Sequence, residues 1–115
     1  MKNNGYVEQP WGHEIIWAST ESYCGKILCF NNPRDKTTFH FHKDKDSSIF
    51  VNGGQFILRF VDLSTGELKE RIIKEGDTWR ISTLVPHQFE ALTTSATLLE
   101  VSTAEKETDE FKLQP

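Results

Sequence analysis

The chain predicts an all-β fold, a sandwich or barrel of short antiparallel strands. Segments of alternating, β-branched or aromatic residues recur along nearly its whole length. Clusters of Gly, Asn, Asp and Pro divide those segments at near-regular spacing, as in sandwiches and barrels. Only residues 104–113 lack the pattern, and 104–115 are expected to form a short helix or a loose C-terminal tail.

The elements follow in order. Residues 14–19 and 23–30 read as two strands around a turn at Thr20-Glu21-Ser22. Asn31-Asn32-Pro33-Arg34-Asp35 is a second turn, built from residues that favour tight reversals. Residues 37–42 read as a strand, and Lys43-Asp44-Lys45-Asp46 as a short charged loop. Ile49-Phe50-Val51 runs into Asn52-Gly53-Gly54, a strong reversal signal. Segments 56–61 and 68–73 flank Ser64-Thr65-Gly66 and read as a hairpin. Strands follow at 78–82, 87–92 and 96–102.

Length and charge narrow the function. At 115 residues the chain is expected to be one domain, 1–115, with 1–13 an N-terminal arm or edge strand. A net charge of -4 supplies no basic stripe for phosphates, so no nucleic-acid partner is expected. No apolar run reaches membrane-spanning length, and Met1-Lys2-Asn3-Asn4 leads into no signal-peptide core. A cytoplasmic protein with no membrane partner is therefore expected. Cys24 and Cys29 fall on opposite faces of one strand, which forbids their pairing and predicts reduced thiols.

The most informative feature is His40-Phe41-His42, with Pro86-His87 further along the β pattern. Residues two apart on a strand share a face, so His40 and His42 present two imidazoles together while Phe39 and Phe41 point away. Imidazole is a common neutral metal ligand, and a third ring from a neighbouring strand gives half of an octahedral shell with positions open for water or substrate. Surface histidines on a polar strand are the plain alternative. The chain has only four histidines, however, and three fall at these positions. His40, His42 and His87 are the predicted ligands of one divalent transition metal: zinc, manganese, iron or nickel.

These residues resemble the two motifs of cupins, small double-stranded β-helix or jelly-roll barrels. In the first motif, G-x5-H-x-H-x4-E-x6-G, His40, His42 and Gly54 match. Arg34 stands at the first glycine and Ser47 at the glutamate. In the second, G-x5-P-x-G-x2-H-x3-N, Gly76 and His87 match in register, while Ser82, Leu84 and Ala91 replace Pro, Gly and Asn. The resemblance covers nearly the whole chain and implies the cupin barrel.

The ends are similar to a narrower group. Pro10-Trp11-Gly12-His13-Glu14 resembles the Pro-Trp-Gly-x-Glu of the type II mannose-6-phosphate isomerase cupins. Glu100-Val101-Ser102-Thr103 resembles the Glu-Val-Ser-Thr of their small single-domain cousins, with Asp109-Glu110 standing for a later acidic pair and Lys112 for an arginine. That arginine's catalytic role does not carry over, because the register slips by one. The resemblance implies a sugar or sugar-phosphate isomerase-like enzyme, or a non-catalytic module binding a small polar metabolite. Three histidines with open positions also suit a metal-dependent oxygenase.

Ser47 in place of the glutamate is the departure with most chemical consequence, since a neutral hydroxyl is a poor ligand. Asp46 is adjacent, but a solvated loop charge is its expected role, and Glu90 has outward parity. His13 is expected at a surface or interface. Trp11, Trp17 and Trp79 read as core or interface aromatics, and a solvated outer face is expected for Lys26, Arg59 and Arg80. A homodimer is expected, paired through Trp11, Trp17 and the strand around Ile15-Ile16.

Overall fold

A computed structural model describes residues 5–106 and 108–113. Met1-Lys2-Asn3-Asn4, from which no leader was expected, lies outside the described residues, as do the last two residues of the expected tail. Eleven strands are present among the described residues: β1 (Tyr6–Gln9), β2 (Gly12–Ser19), β3 (Tyr23–Phe30), β4 (His40–Phe41), β5 (Ser47–Gly53), β6 (Gln55–Val61), β7 (Leu68–Lys74), β8 (Thr78–Ile81), β9 (His87–Ala91), β10 (Ala96–Thr103) and β11 (Phe111–Lys112). They form two antiparallel sheets, ordered β1-β2-β3-β10-β5-β8 and β11-β4-β9-β6-β7.

Alternation in the strands creates the core between the sheets. In β6 the inward residues Phe56, Leu58 and Phe60 are buried, while Ile57 and Arg59 face outward. Phe30, Val51, Ile81 and Leu98 meet them from the opposite sheet. Each fully buried side chain of this size contributes roughly 1.5–3 kcal/mol of transfer free energy. Trp11 closes one end of the core and stacks on Phe30 with ring centroids 4.4 Å apart. It is therefore a core residue of the protomer, and of the expected interface aromatics only Trp17 is well exposed, at 54%.

Turn chemistry fixes the registers. Gly54 joins β5 to β6 at φ 75°, and a Cβ there would lie 2.4 Å from Thr93 Oγ1. Arg34 and Leu84, which stand where the cupin motifs carry glycine, have φ values of 76° and 70°. Both occupy the left-handed region that glycine enters without steric cost.

Four expectations need correction. The strand expected over 37–42 has regular pairing only at His40–Phe41, because Thr37 instead engages Phe89 through its backbone N–H and its hydroxyl. Residues 104–113 form neither a helix nor a loose tail among the described residues. Within them β11 pairs with β4, and Leu113 N–H donates to the Phe39 carbonyl. Lys26 lies inside, not on a solvated outer face, and the charged loop 43–46 buries Lys45. Arg59 and Arg80 do face outward, paired with Glu70 and Glu90 and with Asp46 respectively.

Candidate metal centre

The short strand β4 lies beside β9 so that His40 and His87 are direct cross-strand partners. His42 follows two residues after His40 and therefore returns to the same face. Side-chain nitrogens of His40, His42 and His87 all lie within 4.8 Å of one another. Among the described residues this group contains three imidazoles and no carboxylate.

Each ring is oriented through its other nitrogen. His40 Nδ1–H donates to the Thr38 carbonyl at 2.8 Å, His42 Nδ1–H to the Asp109 carbonyl at 2.8 Å, and His87 Nδ1–H to the Val85 carbonyl at 2.9 Å. A carbonyl oxygen can only accept, so the proton sits on Nδ1 and the Nε2 lone pair is left bare on all three rings. Burial pushes His87 down to about 3, helped by repulsion from His40 and His42, and burial likewise lowers His40. His40 and His87 are thus held neutral, the form that ligates metals. Three convergent imidazole nitrogens fit a borderline first-row dication such as zinc, iron or nickel, and fit the harder manganese less well.

The backbone around the triad is tied down from several directions. Leu84 N–H donates to the His42 carbonyl at 2.7 Å. The Asp109 carboxylate accepts from the N–H groups of Lys43, Asp44 and Lys45 at 2.8–3.1 Å, which fastens the terminal segment to the loop after His42.

The triad lines a cavity of about 260 Å³ whose other wall is charged. Lys26 Nζ lies 2.9 Å from Glu14 and 2.8 Å from Glu105, and Lys45 Nζ lies 2.9 Å from Glu105 and 3.5 Å from Glu100. The two lysines hold Glu105 well below its ordinary value, at about 2, against the opposing effect of burial. Lys26 is raised by Glu100, Glu14 and Glu105 although burial alone would lower it. This cluster escaped the sequence reading because lysine is usually exposed. Parity was the available signal: Lys26 shares the parity of inward-facing Cys24, Leu28 and Phe30, and Glu100 that of Leu98 and Ser102.

The remaining candidates fall outside the triad. Asp46 is held by Arg80 at 2.7 Å and Glu90 by Arg59 at 2.8 Å, so both are outer-face partners. Ser47 is buried at the start of β5, and its hydroxyl meets no hydrogen-bond partner among the described residues. His13 stacks on Tyr6 on the edge hairpin. Trp79 packs against Phe60 beside the core. Cys24 and Cys29 are both free thiols.

No family profile matches the sequence, and no curated protein matches it. Solved structures do. Oxalate decarboxylase from Bacillus subtilis is similar with a TM-score of 0.83 at 19% identity, over 96% of this chain and 30% of that one. KdgF from Halomonas sp. is similar with a TM-score of 0.76 at 19% identity, over 90% of this chain and 88% of that one. The capsular polysaccharide assembling protein CapF from Staphylococcus aureus gives 0.80 at 16% identity, over 96% of this chain and 32% of that one. The chain thus spans about a third of the length of oxalate decarboxylase and CapF, and most of KdgF. At these identities the likeness is one of architecture, and with the two antiparallel sheets it establishes the fold as the cupin-type jelly-roll barrel.

Proposed function

We propose that this chain is a metal-binding cupin whose His40, His42 and His87 hold one divalent transition metal, and whose cavity takes a small polar metabolite. Sugars and sugar phosphates are the proposed class. One observation carries the reading: all three Nδ1 atoms are engaged by backbone carbonyls, so the three Nε2 lone pairs are left for one ion. Such an ion would supply Lewis acidity toward a ligand carbonyl or hydroxyl. The chain's own share is the orientation of the rings, the ammonium donors of Lys26 and Lys45, and a cavity walled by Trp11, Leu28 and Phe89.

An isomerase would also need a side chain that moves a proton between adjacent carbons. Glu105 is shared by Lys26 and Lys45, which hold it at about 2, and a carboxylate so held is a weak base. That observation favours the second reading, a non-catalytic metabolite-binding module. Incubation of the metal-loaded chain with mannose 6-phosphate, followed by NMR, separates the two. Turnover to the ketose supports the enzyme, and shifted ligand resonances without turnover support the module. Oxygen uptake by the iron-loaded chain would instead mark an oxygenase.

The same reading takes residues 1–115 as one domain working as a homodimer. The outer face of the six-stranded sheet supports pairing, because the register places Tyr6, Ile15, Ile27, Leu99 and Phe50 in one row across five strands. Trp17 and Val101 extend that apolar face. Light scattering at micromolar concentration tests it, and a monomer counts against it.

A further inference from the structure

Two buried lysines sharing one carboxylate oxygen have a use that the histidine triad does not explain. Glu105 Oε2 accepts from Lys26 Nζ at 2.8 Å and from Lys45 Nζ at 2.9 Å. The lysines are rooted in the barrel: Lys26 lies on β3, Lys45 is fixed by its backbone bond to Asp109, and both are more than nine-tenths buried. Each already has a carboxylate from a strand. Glu14 on β2 serves Lys26, and Glu100 on β10 serves Lys45. Two ammonium groups are therefore balanced by two scaffold carboxylates, and Glu105 is the third.

Glu105 differs from that pair in its support. It follows β10 on an irregular segment, and its side chain is 34% exposed against 13% and 10% for Glu14 and Glu100. The segment is anchored on either side. Thr103 N–H donates to the Asp46 carbonyl, and Asp109 grips the loop 43–45. Residues 104–106 thus carry a carboxylate into the cavity from outside the named strands. The same cavity holds the histidine triad, so a ligand reaching the triad meets the two lysines as well.

We infer that Lys26 and Lys45 form an anion subsite of the cavity, occupied in the free protein by Glu105 as an internal stand-in, and that a ligand carboxylate or phosphate displaces Glu105 from it. The inference rests on the proposed metabolite-binding role of the cavity and narrows the ligand class to anions. Exchange of one anionic group for another leaves the charge around the lysines balanced, so the desolvation cost of two buried cations is met before and after binding. Glu105 competes with the ligand, which lowers the apparent affinity in proportion to the fraction of molecules in which the subsite is vacated.

The test uses the full chain freed of metal with a chelator, so that failure of metal binding leaves this result unaffected. Inorganic phosphate and acetate are titrated separately by calorimetry, which distinguishes a phosphate ligand from a carboxylate one. E105Q, which keeps the shape and removes the charge, is expected to bind one of these anions about ten-fold or more tighter than the unaltered chain. Adding K26M to E105Q is expected to abolish the gain. Equal affinity of E105Q and the unaltered chain for both anions overturns the inference, as does a gain that survives K26M, and as does failure of E105Q to bind either anion. Carbon-13 NMR of the Glu105 carboxyl in the unaltered chain supplies a check that needs no variant. Saturating anion is expected to shift that resonance as the carboxylate leaves Lys26 and Lys45, while the 43–45 amides, held by Asp109, stay unshifted, and an unshifted Glu105 carboxyl overturns the inference.

Discussion

Asp109 holds His42 by its backbone carbonyl and holds the loop after His42 by its carboxylate. One residue of the terminal segment therefore fixes both the ring tautomer and the backbone from which the ring projects. In metal sites such outer partners commonly govern affinity.

Asp109→Ala removes the acceptor for the N–H groups of Lys43, Asp44 and Lys45 and should free the terminal segment from its seat. Metal affinity is expected to fall about 10–100-fold, the usual effect of losing an orienting partner. Asp109→Asn keeps one carbonyl oxygen and should fall between the two. Competition against a fluorescent chelator measures this, and an unchanged affinity in Asp109→Ala would show that the segment does not position His42.

Stability without metal should have a broad plateau with losses on both sides. His87 is depressed from 6.5 to about 3, so below pH 6.5 the unfolded chain takes up a proton that the folded chain refuses. Stability is lost as pH falls through that window. Glu105, depressed from 4.5 to about 2, acts in the same direction: its contribution is present above pH 4.5 and is lost as pH falls toward 2. Lys26 is raised above 10.5, so its contribution is present below pH 10.5 and is lost as pH rises further. Urea midpoints should therefore be lower at pH 4.5 than at pH 7.5. Equal midpoints would contradict the buried, neutral state of His87.

Arg34→Gly and Leu84→Gly should each stabilise the fold. Both residues hold left-handed backbone, which costs a residue with a Cβ about 1–2 kcal/mol. Glycine's greater freedom in the unfolded chain offsets part of that gain, leaving a net effect of about 0.5–1 kcal/mol. Leu84→Gly is the more informative, because the Leu84 amide supports the His42 carbonyl and the backbone there should keep its shape. A lower thermal midpoint in both variants would contradict the strain argument.

Much of this was legible in the sequence for definite reasons. The period-two alternation of residues 56–61 and 96–102 marked strands, and Gly54 marked the β5–β6 reversal, because each depends on local sterics. The convergence of His40 and His42 followed from strand parity alone, while His87 was singled out by the scarcity of histidines and its place further along the β pattern, and then by the cupin-like motif. The terminal segment was not legible, since β11 is two residues long and is held by partners far away in the chain. The lysine cluster was hidden for a related reason. Its members come from Glu14, Lys26, Lys45, Glu100 and Glu105, and only the closed barrel brings them together. Loop 43–46 also looked wholly solvated, because no local pattern shows that Lys45 turns inward while Asp46 meets Arg80.

The central claim is that His40, His42 and His87 together hold one metal ion. Elemental analysis of the untagged chain, beside His40→Ala, His42→Ala, His87→Ala and His13→Ala, tests it most directly. The account predicts about one equivalent of transition metal in the unaltered chain and in His13→Ala, and sharp loss in each of the other three, since two imidazoles compete poorly with water. Circular dichroism should show all four variants still folded, because the buried cluster around Phe56, Leu58 and Leu98 includes none of the four histidines. Full metal content in all three triad variants would contradict the claim.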